Sequence, residues 1–186
     1  MNHKAIIVSA PSGAGKSTMV NNLRKAFPQL EFSVSACSRP KRACEVDGED
    51  YFFLPIDEFK KKISGNEFVE WEEVYPGSFY GTLKSELNRI WSLNKIPIFD
   101  VDTVGGLNLK TYFGEKALAI FIQPPSMKVL KERLQNRGTE SDESLKIRLE
   151  RATYELRFAG KFDQVVVNND LEEAIAQVTK LVRNFL

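Results

Sequence analysis

The segment from Ala10 to Thr18 constrains this chain more than any other, because its residues prescribe both a local structure and a ligand. The sequence Ala-Pro-Ser-Gly-Ala-Gly-Lys-Ser-Thr matches the Walker A pattern, except that Ala10 replaces the first glycine. An apolar, β-branched run precedes it at residues 4–10, and helical spacing follows it at residues 17–27. A strand, a glycine-rich loop and a helix in this order predict a phosphate-binding loop.

The residue types in this loop suit a nucleotide triphosphate. Glycines let backbone N–H groups turn inward around phosphate oxygens, and the dipole of the following helix favours an anion. Lys16 can reach the β- and γ-phosphates, and the Ser17 hydroxyl can ligate Mg²⁺. A glycine turn that merely joins two elements is the alternative, and Gly-Lys-Ser-Thr at the helix start argues against it. The predicted residues of this site are Ala10, Pro11, Ser12, Gly13, Ala14, Gly15, Lys16, Ser17 and Thr18.

Alternating strands and helices predict the architecture around the loop. Three further apolar runs are typical of buried parallel strands, and helical spacing follows each of them. Such alternation implies an α/β fold, a P-loop NTPase core in which helices flank both faces of a parallel sheet. The predicted strands are 96–102, 117–122 and 164–168, and the predicted helices are 103–112, 126–136, 143–159 and 171–185.

The region from about residue 32 to residue 93 breaks this rhythm. It contains a helical piece at 57–63 among segments that are typical of short antiparallel strands, at 51–54, 68–71 and 78–81. We interpret it as a small mixed α+β insertion in a single domain of 186 residues. The predicted division is a core of 1–34, 94–132 and 160–186, an insertion of 35–93 and a helical lid region of 133–159.

Composition and charge exclude several classes of function. Lys and Arg number 26 against 25 Asp and Glu, which argues against a nucleic-acid partner. No apolar run is long enough for a membrane span and no signal-peptide layout is present, so we expect a cytoplasmic protein without a membrane partner. His3 is the only histidine, and Cys37 and Cys44 lack the spacing of a metal site, so we expect two free thiols. No pattern specifies an oligomeric state.

Asp100 and Asp102 follow the apolar run 96–99, near the carboxyl end of a predicted strand. In open α/β sheets this end faces the ligand crevice. Residues i and i+2 of a strand share a face, so both carboxylates should point towards the phosphates or Mg²⁺. Ordinary solvation of a strand end is the alternative interpretation.

A second set of residues suits a second anion. Arg39 and Arg42 are placed to converge on one anion, and the guanidinium fork suits bidentate recognition of phosphate. The hydroxyl of Tyr51 could complete this cradle. Taken alone, such a basic loop is equally compatible with a solvated surface turn.

These residues form part of an ordered set of motifs. The run Ser-x-x-x-Arg-x-x-Arg-x-x-Glu-x-x-Gly-x-x-Tyr at 35–51 resembles the GMP-phosphate motif of guanylate kinases. Segments 68–71 and 80–82 resemble the guanine-recognition segments of that family, and 133–140 with Arg148 resembles its lid. The resemblance covers nearly the whole chain and keeps the family's order, which makes it more specific than any single motif.

The resemblance implies transfer of the γ-phosphoryl of ATP to GMP, and to dGMP as well, with Mg²⁺ as cofactor and ATP and GMP as the partners. The catalytic residues that it implies are Lys16, Arg137 and Arg148, and the residues of the phosphate loop would bind ATP. The GMP-binding residues that it implies are Ser35, Arg39, Arg42, Tyr51, Glu70, Tyr80, Gly81, Thr82 and Asp102. Ser17 would ligate the metal, with Asp100 as a second candidate that acts through a water molecule.

The chemistry of guanine agrees with the implied role of Glu70. Guanine presents its N1–H and its exocyclic amine as neighbouring donors, and one carboxylate can accept from both. Adenine lacks this pair of donors and would leave the carboxylate unpaired, so such a site can reject it by about 10⁴-fold or more. A carboxylate on an exposed strand is the alternative interpretation of Glu70.

Two other functions compete with this prediction. A P-loop kinase that acts on AMP, a pyrimidine nucleotide or a sugar phosphate would keep Lys16 and Ser17 but should lack the acceptor-side set, which is Arg39, Arg42, Tyr51, Glu70 and Thr82. A binding module of the kind found in scaffold proteins would be expected to have a degraded phosphate loop, whereas the loop of this chain is intact.

Overall fold

The computed structural model describes residues 4–136 and 142–186. Its strands are β1 (Ala5–Ser9), β2 (Leu30–Phe32), β3 (Ala36–Cys37), β4 (Phe52–Phe53), β5 (Phe68–Tyr75), β6 (Ser78–Leu83), β7 (Ile96–Val101), β8 (Ala117–Gln123) and β9 (Gln164–Val167). Its α-helices are α1 (Lys16–Ala26), α2 (Ile56–Ser64), α3 (Lys84–Ser92), α4 (Thr103–Phe113), α5 (Met127–Gln135), α6 (Asp142–Leu156) and α7 (Leu171–Phe185). Within the described ranges, no helix has the length and apolar character needed to span a bilayer.

Five parallel strands form the larger sheet, in the order β2-β7-β1-β8-β9. The predicted strands at 4–10, 96–102, 117–122 and 164–168 are β1, β7, β8 and β9, and the predicted parallel sheet is confirmed. Strand β2 was not predicted, because three residues are too few to show a periodicity.

Both faces of this sheet are buried, as a parallel sheet requires. Alternate residues of β1 point to opposite faces: Ile6 and Val8 pack with α1 and α7, whereas Ile7 packs with α4. All three side chains are fully buried, and each burial stabilises the fold by about 1.5–3 kcal/mol. The helices therefore fix β1, and with it the phosphate loop that leaves its carboxyl end.

A second sheet of four strands, in the order β4-β3-β6-β5, lies within the region predicted as an insertion. Strands β5 and β6 form the expected antiparallel hairpin, and β3 is antiparallel to β6. The prediction that 51–54 is an antiparallel strand is wrong, since β4 pairs with β3 in parallel. The connection at 38–51 is long enough for the crossover that parallel neighbours need.

Aromatic side chains hold α2 against the second sheet. Phe59 on α2 is fully buried and stacks on Phe68, with ring centroids 4.5 Å apart, and it also contacts Phe79. Leu83 and Ala36 complete this cluster, which is separate from the two clusters of the larger sheet. The second sheet therefore has a small core of its own.

Candidate active site

A cavity of about 330 Å³ is enclosed by the phosphate loop, the β5–β6 hairpin, the carboxyl end of β7 and helix α6. Most of the predicted site residues line it. These are Ala10, Pro11, Ser12, Gly13, Gly15, Lys16, Ser17, Thr18, Ser35, Tyr51, Glu70, Tyr80, Gly81, Asp100, Asp102 and Arg148. Ala14, Arg39, Arg42 and Thr82 do not line it, and Arg137 lies outside the described residues.

The phosphate loop owes its shape to two glycines with positive φ. Gly13 has φ 90° and Gly15, the N-cap of α1, has φ 101°, a region that L side chains rarely adopt. A Cβ on Gly15 would lie 2.5 Å from Nδ2 of Asn168, which donates to the carbonyl of Ala14 at 2.8 Å. Ala10 is buried and has no positive φ, so this position does not require the glycine of the general motif.

Lys16 and Ser17 both contact Asp100, and all three residues line the cavity. The ammonium of Lys16 lies 3.1 Å from Asp100 Oδ1 and donates to the carbonyl of Val101 at 2.9 Å. The Ser17 hydroxyl donates to Asp100 Oδ2 at 2.7 Å. Burial alone would lower the pKa of Lys16, but the charge and hydrogen bond of Asp100 raise it above its ordinary value. Lys16 therefore keeps its positive charge where phosphates would lie.

The contact between Ser17 and Asp100 also indicates whether the site suits Mg²⁺. A hydroxyl oxygen and a carboxylate oxygen lie side by side, which is the oxygen chemistry that Mg²⁺ prefers. Residues 4–136 and 142–186 contain no group of three His, Cys, Asp or Glu side chains that could hold a metal ion. Mg²⁺ commonly takes one or two protein ligands and completes its shell with waters and substrate phosphates. Ser17 and Asp100 fit that mode of binding.

Glu70 is a buried carboxyl group on β5 that also lines the cavity. It is 8% exposed, and its Oε1 accepts a hydrogen bond of 2.7 Å from the hydroxyl of Thr82. Burial raises the pKa of Glu70 to about 7, against the effect of the Thr82 hydrogen bond, and the charge of Asp102 adds to the increase. Thr82 is fully buried, so it orients Glu70 from behind the cavity wall.

Asp102 is held by a backbone contact at the start of α4. It is the N-cap of α4, and its Oδ1 accepts from the backbone N–H of Gly105 at 2.8 Å. A Cβ on Gly105 would lie 3.2 Å from Glu70 Oε2, so a glycine here leaves room for that carboxyl group. Asp100 and Asp102 both line the cavity, as the spacing of a strand predicts.

Arg39 and Arg42 converge on an anion that belongs to the chain itself, the carboxylate of Glu45. Arg39 donates to both oxygens of Glu45, and Arg42 lies 3.9 Å from it with a side chain that is 64% exposed. The hydrogen bonds of Arg39 lower the pKa of Glu45 to about 2. Arg39 also donates to the hydroxyl of Tyr80 at 3.1 Å and lies over the ring of Tyr51. Two tyrosines thus separate Arg39 from the cavity.

Helix α6 reaches the phosphate loop through Arg148, which donates to the hydroxyl of Ser12 at 2.8 Å. Sequence reasoning missed several residues that also line the cavity, namely Glu72, Val74, Tyr75, Val101, Gly105, Arg151 and Glu155. Spacing could have indicated two of them. Glu72 lies two residues after Glu70 on one strand, and Arg151 lies three residues after Arg148 on one helix.

A phosphate loop at the carboxyl end of a parallel sheet, in a cavity whose lining also carries a buried carboxyl group from the second sheet, is typical of a P-loop phosphotransferase. The comparisons with known proteins narrow this class. The family model described as Guanylate kinase matches residues 2–185, and the chain belongs to the guanylate kinase family.

Relatives and a solved structure agree with this assignment. A guanylate kinase of Bacteroides fragilis is 51% identical over 183 residues, which cover 98% of this chain and 90% of the relative. A guanylate kinase of Porphyromonas gingivalis is 49% identical over 184 residues, 98% of each chain. The crystal structure of guanylate kinase from Anaplasma phagocytophilum is 28% identical with a TM-score of 0.78, and it covers 97% of this chain and 85% of that chain.

Proposed function

We propose that this protein transfers the γ-phosphoryl group of ATP to GMP, giving ADP and GDP. One observation carries the proposal: the phosphate loop and the buried carboxyl group of Glu70 line the same cavity. A donor triphosphate on the loop and a guanine at Glu70 would therefore share one cleft. Membership of the guanylate kinase family supports the same reaction.

Glu70 would select the base. Its ionised carboxylate can accept from N1–H and from the exocyclic amine of guanine, and Thr82 holds it in place for both. Ser35, at the same cavity, supplies a hydroxyl that can donate to the guanine carbonyl. Adenine would leave the buried carboxylate without donors, and this cost disfavours AMP as acceptor. None of these contacts involves the sugar, so we propose dGMP as a second acceptor.

The acceptor phosphate would lie near Tyr51 and Tyr80, with Arg39 behind them. Lys16 on one side and Arg148 on the other would surround the phosphoryl group in transit, together with Arg137. Phosphoryl transfer proceeds through a transition state whose charge is spread over equatorial oxygens, so these cations would act through position and charge. No covalent intermediate with the protein is needed.

Ser17 would hold Mg²⁺ at the phosphate loop, with Asp100 acting through a water molecule. When bound, Mg²⁺ neutralises charge on the donor phosphates. The hydroxyl of Ser17 can keep donating its proton to Asp100 while a lone pair of its oxygen is offered to the metal. The ammonium of Lys16 has three N–H donors, so it can bind a phosphate oxygen with a donor that Asp100 and Val101 do not use.

We also propose that 35–93 acts as a GMP-binding unit and 133–159 as a lid on a core made of the remaining residues. The separate apolar cluster of the second sheet supports the first part, and the contact of Arg148 with Ser12 supports the second. A cytoplasmic location is supported by the two cysteines, which are both free thiols.

Release of ADP, measured with GMP, AMP, CMP and UMP as acceptors, tests the proposal. We expect turnover with GMP and less than about 10⁻³ of that kcat/KM with AMP, because the buried carboxylate would remain unpaired. Glu70→Gln should lose GMP turnover. Its matched control is Glu67→Gln, which changes an exposed carboxylate three residues earlier and should keep GMP turnover. Equal rates with all four acceptors would refute the proposal.

A further inference from the structure

Glu72 is a carboxyl group of the acceptor side to which the proposed reaction gives no role. It lies two residues after Glu70 on β5 and lines the same cavity. Its Oε2 is buried and has no hydrogen-bond partner among the described side chains and backbone when the group is taken as a carboxylate. A buried oxygen without a donor is costly, so this position calls for an explanation.

Asp102 supplies the missing partner if Glu72 carries a proton. Burial raises the pKa of Glu72, and the charge of Asp102 and a hydrogen bond between the two carboxyl groups raise it further, while Arg151 lowers it. A protonated Glu72 can donate to Asp102 through the oxygen that otherwise lacks a partner. The two acids can then lie side by side in the cavity wall.

Arg151 on α6 contacts both of these carboxyl groups and connects three parts of the molecule. Its guanidinium lies 3.5 Å from Asp102 Oδ2 and 3.7 Å from Glu72 Oε1. It also donates to the backbone carbonyl of Val74 on β5 and, at 2.9 Å, to Glu155 one turn along α6. One side chain therefore connects α6, the hairpin of the second sheet and the N-cap of α4.

We propose that Glu72 and Arg151 form a positioning pair that holds Asp102 in place at the acceptor end of the cavity and thereby sets the affinity for the acceptor nucleotide. The inference rests on the proposed function, because it takes GMP as that acceptor. Neither residue needs to touch the reacting atoms. Each acts through Asp102, whose other oxygen is already bound to the backbone of Gly105.

The charges around the pair support an effect on the acceptor rather than on the donor. Glu70, Asp102 and Glu155 line the cavity beside the protonated Glu72, and Arg151 is a cation that contacts Asp102 and Glu155. Lys16, by contrast, pairs with Asp100 beside the phosphate loop. Loss of Arg151 would leave negative charge where an anionic acceptor must bind, and the donor site would keep its own cation.

Arg151→Gln is the first test, measured as separate KM values for GMP and ATP together with kcat. We expect KM for GMP to rise about tenfold, because a contact that supports acceptor binding is lost. KM for ATP should change less than about twofold. Arg157→Gln is the matched control, an exposed arginine just beyond the same helix, and it should change neither value.

Glu72 is tested by two substitutions of similar size. Glu72→Gln keeps a donor for Asp102 and should leave KM for GMP within about threefold of the original, whereas Glu72→Leu removes the donor and should raise it about tenfold. In the double variant Arg151→Gln/Glu72→Leu, KM for GMP should rise by less than the product of the two single effects, because both residues act on Asp102. A purely structural role would raise KM for ATP together with KM for GMP in Glu72→Leu, whereas the positioning role raises KM for GMP alone.

Three outcomes would overturn the inference: unchanged KM for GMP in both Arg151→Gln and Glu72→Leu, equal increases in KM for GMP and ATP, or equal effects of Gln and Leu at position 72. Circular dichroism and thermal unfolding establish that each variant is folded, and if Arg151→Gln does not fold, the Gln and Leu comparison at position 72 decides. Failure of the unaltered protein to phosphorylate GMP would instead refute the proposed function.

Discussion

At the scale of single residues, Glu70 links base recognition to pH. Burial raises its pKa to about 7 without ligand, so below pH 7 the carboxyl group is largely protonated. A protonated carboxyl group offers guanine one acceptor fewer and a proton in the wrong place. GMP binding should therefore require ionisation of Glu70 and should weaken as the pH falls.

We predict that KM for GMP rises about tenfold between pH 8 and pH 6, because the ionised fraction of a group with a pKa near 7 falls by that factor. The measurement is KM for GMP and for ATP across this range at constant ionic strength. KM for ATP is the control: it retains the titration of the nucleotide phosphates and should lack the component from the Glu70 carboxyl group. A pH-independent KM for GMP would contradict the assignment of this pKa to the acceptor site.

The same raised pKa affects stability without ligand. A carboxyl group whose folded pKa exceeds its unfolded value stabilises the fold below the unfolded pKa, and this contribution is lost as the pH rises through the folded pKa. For Glu70 the window runs from the ordinary carboxyl pKa of 4.5 to about 7. Glu70→Gln should consequently unfold at a higher temperature than the unaltered protein at pH 8, and the two should converge at pH 4.5. Thermal scans at the two pH values measure the difference.

Glu45 holds Arg39 in a fixed orientation through two hydrogen bonds, with Arg39 in turn bonded to Tyr80. We predict that Glu45→Gln raises KM for GMP about tenfold, because a guanidinium that is no longer held does not fix the hydroxyl of Tyr80 at the cavity. Glu49→Gln, an exposed acid in the same loop, is the control. A fall in KM would show instead that Glu45 competes with the phosphate for Arg39.

At the scale of elements, local rules predicted what depends on a few neighbouring residues. The strand, loop and helix around Lys16 follow from their own sequence, because strand periodicity, glycine φ preferences and helix spacing all act locally. Strand β2 and the parallel pairing of β4 escaped prediction, since a strand of two or three residues is defined by its partners rather than by its own pattern.

The residues of the candidate site also divide into those that local sequence predicts and those that depend on tertiary contacts. Spacing predicted the phosphate loop and the two aspartates after β7, and the resemblance implied the acceptor-side residues. Arg151 and Glu155 reach the cavity only because the fold brings α6 near Val74 and Asp102. The contact of Arg39 with Glu45 joins residues six apart in an irregular loop, and no periodic rule addresses such a segment. Tertiary placement is therefore what the sequence pattern leaves open.

Gly15 connects the phosphate loop to β9 through Asn168, and this contact can be tested. We predict that Gly15→Ala lowers ATP affinity at least tenfold, because φ is 101° and the new Cβ would lie 2.5 Å from Asn168 Nδ2. Two glycines serve as controls. At Gly114 φ is 58°, but an added Cβ would meet no atom within 4 Å; at Gly160 φ is not positive, and an added Cβ would also meet no atom within 4 Å. Titration calorimetry with ATP should rank Gly15→Ala as the only one of the three with weakened binding.

At the scale of the whole molecule, the two sheets have separate apolar cores and one shared cavity. The phosphate loop depends on the clusters around β1, and the acceptor residues on β5 and β6 depend on the cluster around Phe59. Binding of both substrates at once requires both cores. Damage to the small core of the second sheet should therefore affect GMP binding before ATP binding.

Phe59→Ala tests this division. Removal of a fully buried ring typically costs about 3–5 kcal/mol, and here the loss falls on the small cluster of the second sheet. We predict a large rise in KM for GMP with ATP binding retained, and faster hydrogen exchange confined to β5 and β6. Phe121→Ala, an equally buried ring in the larger sheet, should weaken ATP and GMP binding together. Parallel loss of both substrates in Phe59→Ala would mean that the two sheets unfold as one unit, and 35–93 would then not be a separable acceptor-binding unit.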